Sequence, residues 1–231
     1  MPVVWHPSPN FGPRRDGLIP TLIVLHFTAM TNAKAALDRL CDPLTEVSAH
    51  YLIGGDGTVW QMVQEQDRAW HAGAGEWAGV DDINSRSIGI ELDNRGDHPF
   101  SALQMAALEQ LMPQIMKRWA IRSTGVIAHS DMAPGRKCDP GRRFDWQRLA
   151  RFGLAVWPEP VDPPSRDVGQ FRALARDAGF TADVSAATLL EAVRLRFRPW
   201  GQGALCAADM AALAGLVQAF ATDGIDHPDN S

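Results

Sequence analysis

Residues 21–27 read TLIVLHF, and this run constrains the fold of the 231-residue chain more than any other stretch. An unbroken apolar, partly β-branched run of this length is typical of a strand buried on both faces. Residues 48–63 form two strand-like runs around the turn sequence GGDG, which predicts a hairpin, because glycine readily adopts positive φ angles. A hairpin joins antiparallel strands, so the sequence excludes a purely parallel sheet.

Helices are expected among these strands. Strand-like patterns continue in SIGIEL at residues 87–92 and GVIAHS at 125–130, whereas NAKAALDRL at 32–40 predicts a helix. A longer helix is predicted over residues 101–120, because several apolar residues share one helical face. They are Leu108, Leu111, Met112, Ile115 and Trp119. Pro113 interrupts this pattern, so we expect a kink or a helix that begins near it.

The composition changes at residues 156–164, VWPEPVDPP. Prolines at this density do not build a helix or a central strand, so this stretch is predicted to be a stiff linker. It separates a first domain, residues 1–155, from a small all-helical domain at residues 165–222. Three amphipathic helices are predicted there, followed by a polar tail at 223–231.

Charge and cysteine content exclude some classes of protein. The net charge of −5 and the pI of about 5.8 argue against a general nucleic-acid binder, which needs a clustered basic surface. Three scattered cysteines do not make a disulfide framework and favour a reducing compartment. The first residues contain no apolar signal core, and no run reaches membrane-spanning length. We therefore predict a cytoplasmic protein, with a periplasmic or outer-membrane-associated location as the alternative.

Several residues suited to metal binding lie at strand ends. His26 and His129 each end an apolar strand, and Asp139 lies in the loop GRKCDPG at 135–141. Two imidazoles and one carboxylate, with a fourth position left to water, are a catalytic arrangement for zinc. A histidine at a strand end is, however, more often a hydrogen-bonded structural residue, and the chain has no HExxH or CxxC motif. The spacing alone leaves both interpretations open.

Six ordered segments carry a resemblance to a known family. They are VLHFTA, VSAHYLIGGDGTV, RAWHAG, NSRSIGIEL, IAHSDMAPGRKCDPG and FDWQRLA. Between about Ser8 and Gly153 the chain resembles the zinc-dependent N-acetylmuramoyl-L-alanine amidases, which include phage T7-type lysozymes and peptidoglycan recognition proteins. It is most similar to their cell-wall-recycling, AmiD-like branch. The resemblance implies an α/β fold with a central mixed β-sheet flanked by helices, and makes residues 1–155 the catalytic domain. The helical region resembles the peptidoglycan-binding domains attached to such enzymes.

The resemblance also implies roles for particular residues. The zinc ligands of the family match His26, His129 and Asp139, which implies one Zn²⁺ per chain. The acidic catalytic residue matches Glu91, and the catalytic lysine matches Lys137. Some relatives use cysteine as the third ligand, but that position lies two residues after the lysine and is Asp139 here. Since neighbours in an extended loop point to opposite sides, Cys138 is expected to face away as a small packed residue.

The implied reaction is hydrolysis of the amide bond between N-acetylmuramic acid, or its 1,6-anhydro form, and L-alanine. The substrate would be peptidoglycan or a soluble anhydro-muropeptide, cleaved during peptidoglycan turnover or recycling. Segments that line the groove in relatives contain His71 and Asn84, so both are predicted substrate contacts. Trp70, which is predicted to stack on sugar or to pack in the core, and His50 in the hairpin complete the predicted set.

Two other functions stay open at this point. One is recognition of peptidoglycan fragments without cleavage. The other is a cysteine hydrolase that uses Cys138 or Cys41 together with a histidine. Measurement of zinc content distinguishes non-catalytic recognition from amidase activity. Loss of activity on treatment with an alkylating reagent, but not with a chelator, would identify a cysteine hydrolase.

Overall fold

The computed structural model describes residues 2–159, 161–162 and 167–222. The polar tail at 223–231 lies outside the described residues, as do residues 160, 163 and 164 of the predicted linker.

Strands and helices alternate along the described chain. The strands are β1 (Val3–Trp5), β2 (Phe11–Pro13), β3 (Leu22–Phe27), β4 (Tyr51–Ile53), β5 (Val59–Gln61), β6 (Asp67–Ala69), β7 (Ser87–Leu92) and β8 (Val126–Ala128). The helices are α1 (Ala33–Cys41), α2 (Ile83–Arg86), α3 (Ala102–Trp119), α4 (His129–Met132), α5 (Trp146–Arg151), α6 (Val168–Asp177), α7 (Ala186–Phe197) and α8 (Ala207–Thr222). Short 3₁₀ turns occupy Arg15–Gly17, Pro43–Thr45 and Ser123–Gly125.

The central sheet has the strand order β1-β5-β4-β7-β3-β8. Strands β4 and β5 are antiparallel, whereas every other neighbouring pair in this sheet is parallel. The run TLIVLHF supplies β3, whose Ile23, Val24 and Leu25 have no exposed surface. Gly57, at φ 85°, turns the chain between β4 and β5 as the hairpin pattern predicted. The predicted α/β fold with a mixed sheet is confirmed.

The two faces of the sheet are covered by different helices. Ile23 and Leu25 of β3 point into a cluster with the buried face of α3, while Leu22 and Val24 point to the opposite side. There they share a second cluster with buried residues of the C-terminal helices α6, α7 and α8. Since side chains alternate along a strand, His26 points to the same side as Val24.

Helix α3 runs without a break past Pro113, and the expectation of a helix that begins near this proline is wrong. Pro113 is exposed, while the apolar face buries Leu108 and Met112 before it and Ile115 after it. Burial on both sides of the proline outweighs the cost of one missing backbone hydrogen bond, because each large apolar side chain contributes about 1.5–3 kcal/mol.

The C-terminal helices reach into the core beside the sheet. Arg196 of α7 is 3% exposed and forms an ion pair with Asp131 of α4, which is 0% exposed. The same guanidinium donates to the Val126 carbonyl of β8 and lies 4.1 Å above the Trp146 ring. Helix α7 is therefore joined to α4 by a buried ion pair, and to the sheet by a hydrogen bond as well as by apolar contacts.

Across the described ranges, no helix combines the length and the apolar character needed to cross a membrane.

Candidate functional site

The candidate site lies where β3, β7 and β8 end. His26 is next to last in β3 and pairs in register with Glu91 of β7. His129 directly follows β8 and begins α4. Because these three strands are parallel, their carboxyl ends meet at one edge of the sheet, as ligand sites in α/β folds commonly do. The sheet register thus brings together residues that are 103 positions apart in the chain.

Three side chains converge there in a buried group. His26 Nδ1 lies 2.9 Å from His129 Nδ1, and each of these nitrogens lies 3.0 Å from Asp139 Oδ2. The exposed fractions are 1%, 2% and 6% for His26, His129 and Asp139. Within the described part of the chain, this is the group of histidine, cysteine and acidic residues that could hold a metal ion.

The protonation of the group suits a cation. Burial lowers the pKa of His26 to about 4, so its ring is neutral near pH 7. Burial would raise the pKa of Asp139, but the two imidazole rings of His129 and His26 beside it outweigh that effect and hold the pKa well below its usual range. His129 donates from Nε2 to the Ala72 carbonyl at 2.9 Å, which leaves Nδ1 as a lone-pair donor. The group therefore offers two ring nitrogens and one negative oxygen.

This donor set fits zinc. Ligand atoms around a tetrahedral zinc ion lie about 3.3 Å apart when the bonds are about 2.0 Å long. The three donor atoms lie 2.9–3.0 Å apart, so a displacement of a few tenths of an ångström accommodates the ion.

Glu91 lies beside this group. Burial, together with the negative charge of Asp139, raises the pKa of Glu91 to about 8. Its Oε2 atom is buried and has no hydrogen-bond partner among the residues that the structure describes. A carboxyl group with a pKa near the working pH can both take up and release a proton.

A cavity of about 350 Å³ opens onto the three side chains and Glu91. Its wall also contains predicted residues, namely Lys137, Trp70 and His71. Two cations that the sequence analysis did not identify, Arg39 and Arg136, line it as well. The cavity thus combines a buried metal-binding group with a positively charged rim.

Cys138 lies at the cavity wall but is exposed, so the expectation of a packed residue is wrong. The prediction assumed an extended loop, whereas Gly135 has φ 77° and the Lys137 amide donates to the Ala133 carbonyl at 3.0 Å. In this turn Lys137 is also exposed, while Asp139 is buried.

Two of the predicted substrate contacts are enclosed by protein. His50 has no exposed surface and accepts from the Gly89 amide at its Nδ1, 3.0 Å away. Asn84 is 6% exposed, and its Oδ1 accepts from the amides of His71 and Ala72 at 3.0 and 2.8 Å. These contacts argue against a direct encounter of either side chain with substrate. Trp70, by contrast, is half-buried at the cavity wall.

Comparison with known proteins identifies the family. Residues 16–142 match the model of the Amidase_2 family, described as N-acetylmuramoyl-L-alanine amidase. The chain belongs to this family. The resemblance inferred from the six sequence segments is therefore confirmed.

Individual amidases are similar in sequence. The N-acetylmuramoyl-L-alanine amidase AmiD of Escherichia coli is 41% identical over 154 residues, which span 60% of this chain and 55% of that relative. The 1,6-anhydro-N-acetylmuramyl-L-alanine amidase AmpD of Haemophilus influenzae is 34% identical over 159 residues, or 61% of this chain and 86% of AmpD. The chain thus matches only about half the length of AmiD at this level.

Solved structures extend the likeness over most of the fold. AmiD from E. coli, in complex with the substrate anhydro-N-acetylmuramic acid-L-Ala-D-γ-Glu-L-Lys, superposes with a TM-score of 0.78 at 32% identity. That match covers 90% of this chain and 91% of AmiD. AmpDh3 from Pseudomonas aeruginosa, in complex with anhydromuramic pentapeptide, gives a TM-score of 0.79 at 30% identity and covers 92% and 95%. The C-terminal helices are therefore included in these matches.

Proposed function

We propose that this amidase-family chain uses one zinc ion to hydrolyse the amide bond between N-acetylmuramic acid, or its 1,6-anhydro form, and L-alanine. The observation that supports this most directly is the buried group of His26, His129 and Asp139, which lies beside Glu91 at a cavity. A bound zinc ion supplies a water of lowered pKa and polarises a carbonyl oxygen.

Glu91 is the proposed proton-transfer residue. In the metal-free chain burial raises its pKa to about 8, which is close enough to neutral pH for the carboxyl group both to hold and to release a proton. It can therefore accept a proton from the attacking water and deliver one to the departing amine of L-alanine. An amine leaves poorly without that proton, so the second transfer matters as much as the first.

Lys137 is the proposed stabiliser of negative charge. Its side chain is exposed at the cavity wall, where its charge lowers the pKa of Glu91 against the effect of burial. An ammonium group at this position can stabilise the oxyanion that develops on the scissile carbonyl, a type of contact worth about 3–4 kcal/mol.

Anhydro-muropeptides are the proposed substrates, in peptidoglycan turnover or recycling. The AmiD and AmpDh3 complexes support this choice, because their ligands are anhydromuramic peptides. Arg39 and Arg136 at the cavity wall add cations that complement the carboxylates of a stem peptide. The cytoplasmic location stays a prediction, with the periplasm or the outer membrane as the alternative.

The test is incubation of the protein with purified anhydro-muropeptide and with whole sacculi, each with and without a chelator. The expected result is chelator-sensitive release of a peptide that begins with L-alanine, from a protein that holds about one zinc ion per chain. Fragment binding without release, by a zinc-free protein, would instead support non-catalytic recognition.

The ligand assignment is tested by two neighbouring substitutions. Asp139→Ala should lose both zinc and activity, whereas Cys138→Ala should keep both because its thiol is outside the converging group. The opposite result would make Cys138 the ligand, and inactivation by an alkylating reagent but not by a chelator would indicate a cysteine hydrolase.

A further inference from the structure

Two consecutive residues, His71 and Ala72, hydrogen-bond the two proposed histidine ligands at the ring nitrogens that face away from the metal group. His26 turns its Nε2 toward His71 Nδ1 at 3.0 Å, and His129 turns its Nε2 toward the Ala72 carbonyl at 2.9 Å. The orientation of two metal-facing rings therefore depends on one dipeptide of the chain. The contact to Ala72 does not follow from the sequence pattern, because a backbone carbonyl makes it.

The hydrogen-bond chain behind His26 selects its tautomer. Ser87 Oγ lies 2.5 Å from the Ile83 carbonyl and must donate its proton there, since a carbonyl can only accept. His71 Nε2, 3.2 Å from the same Oγ, is then the donor to it. Neutral His71 carries one ring proton, so its Nδ1 accepts from His26 Nε2. His26 Nδ1 is left with a lone pair that points at His129 and Asp139.

His71 packs closely against β7 of the central sheet. Its ring is half-buried at the cavity wall. Gly89 of β7 has no side chain and so leaves the space that the ring occupies. A side chain at that position would begin 2.4 Å from a ring carbon of His71, closer than any real contact.

Asn84 fixes the dipeptide itself. Its Oδ1 accepts from the amides of both His71 and Ala72, at 3.0 and 2.8 Å. The side chain is 6% exposed and belongs to α2, which precedes β7 directly. A single amide oxygen thus sets the position of the carbonyl behind His129 and of the ring behind His26.

We propose that His71 and Asn84 are positioning residues that orient both histidine ligands for the metal, rather than contacts for substrate. This inference rests on the proposed zinc site. Partners that hydrogen-bond metal-ligating histidines typically change metal affinity by about 10–100-fold when they are removed. His71 acts on one ligand through its ring, and Asn84 acts on both through the backbone.

Zinc affinity, measured by competition with a chromophoric chelator at fixed pH, tests the proposal without relying on activity. His71→Leu removes the acceptor for His26 and should weaken zinc binding about 10–100-fold. His71→Asn places an amide oxygen near the position of Nδ1 and should recover most of the affinity. In the same way, Asn84→Ala should bind zinc more weakly than Asn84→Asp, which keeps an acceptor oxygen.

His50→Leu is the matched control. It removes another buried histidine of the same cluster, whose ring centroid lies 5.8 Å from that of His71 and which has no hydrogen bond to a proposed ligand. It should lower stability while leaving zinc affinity within about threefold of the wild type, because both ligands keep their partners.

The outcomes separate the inference from the function on which it rests. A wild-type protein that binds no zinc would overturn the proposed function and this inference together. A zinc-binding wild type whose affinity is unchanged in His71→Leu and in Asn84→Ala, with a raised KM for anhydro-muropeptide, would overturn the inference alone and restore both residues as substrate contacts. If His71→Leu does not fold, the comparison of the two Asn84 variants decides.

Discussion

Glu91 lies in an environment that is unusual for a carboxyl group. A carboxyl group normally loses its proton near pH 4.5, but burial and the charge of Asp139 raise the pKa of Glu91 to about 8. At Oε2 no donor from the described part of the chain replaces the lost water. Such a group is unfavourable for stability when charged, yet suited to proton transfer.

Glu91→Gln should keep zinc while kcat falls about 10²–10⁴-fold, because general acid–base catalysis typically contributes that much. Glutamine preserves the shape of the side chain but cannot accept the proton. The measurement is steady-state hydrolysis of anhydro-muropeptide alongside zinc content. A metal-free or nearly fully active variant would contradict the role of Glu91.

The pH dependence of stability provides a second test at this residue, in metal-free protein. A carboxyl group whose pKa is raised on folding stabilises the fold fully below its unfolded pKa, and that contribution is lost as the pH rises through about 8. Glu91→Gln never acquires the charge. Its free energy of unfolding relative to the wild type should therefore increase between about pH 5 and pH 9.

Urea unfolding across this range, in the presence of a chelator, measures the difference. The depressed pKa of Asp139 does not interfere, because that carboxyl is already charged throughout the window. A constant difference between Glu91→Gln and the wild type would show that the carboxyl is not buried in its neutral form.

At the scale of an element, helix α3 contains an unfavourable residue, Pro113, whose cost is offset by burial of apolar side chains. It tolerates Pro113 in its interior because its apolar face is buried on both sides of the proline. Pro113→Ala should raise the free energy of unfolding by about 1–3 kcal/mol, since alanine restores a backbone donor at an exposed helical position. Gln114→Ala, at the adjacent exposed position, is the control and should change stability by less than about 0.5 kcal/mol.

Strands and helices were largely predictable because their hydrophobic periods are local. The run TLIVLHF and the alternation in SIGIEL indicate β3 and β7 directly, and strand ends placed His26 and His129 at one edge. The roles inferred for His71 and Asn84 were not predictable, since they depend on hydrogen bonds between distant segments. Cys138 was misplaced because a turn, invisible to the alternation rule, replaces the extended loop.

At the scale of the whole molecule, the C-terminal helices cover a face of the central sheet. Leu22, Val24 and Ile127 of the sheet pack in one cluster with buried residues of α6, α7 and α8. A chain that ends at residue 155 should therefore unfold at a markedly lower denaturant concentration than the full chain, because this apolar surface becomes exposed. Equal unfolding midpoints would show that residues 1–155 form an independent unit.

Glycan binding by the C-terminal helices stays a prediction, tested by co-sedimentation of the full chain with sacculi.

The ion pair between Arg196 and Asp131 ties the helices to the candidate site. Arg196→Met should lower the free energy of unfolding by about 3–5 kcal/mol, because it leaves Asp131 buried without its partner. The double variant with Asp131→Asn should recover part of that loss. Arg142→Met is the matched control, since its pair with Glu191 is exposed and 3.7 Å long, and should cost less than about 1 kcal/mol.

The register between β3 and β7 has a consequence for protein engineering. His26 and Glu91 lie directly opposite each other on neighbouring parallel strands, so their spacing is set by the sheet, whose strands lie about 4.8 Å apart. If a histidine and a glutamate are placed in the same register on another parallel sheet, the distance between these two residues is correct without any change to a loop. Shifting either strand by one residue would turn its side chain to the other face and abolish the pair. Loops that carry none of the proposed ligand, catalytic or positioning residues can therefore be varied for new substrates while these two positions stay fixed.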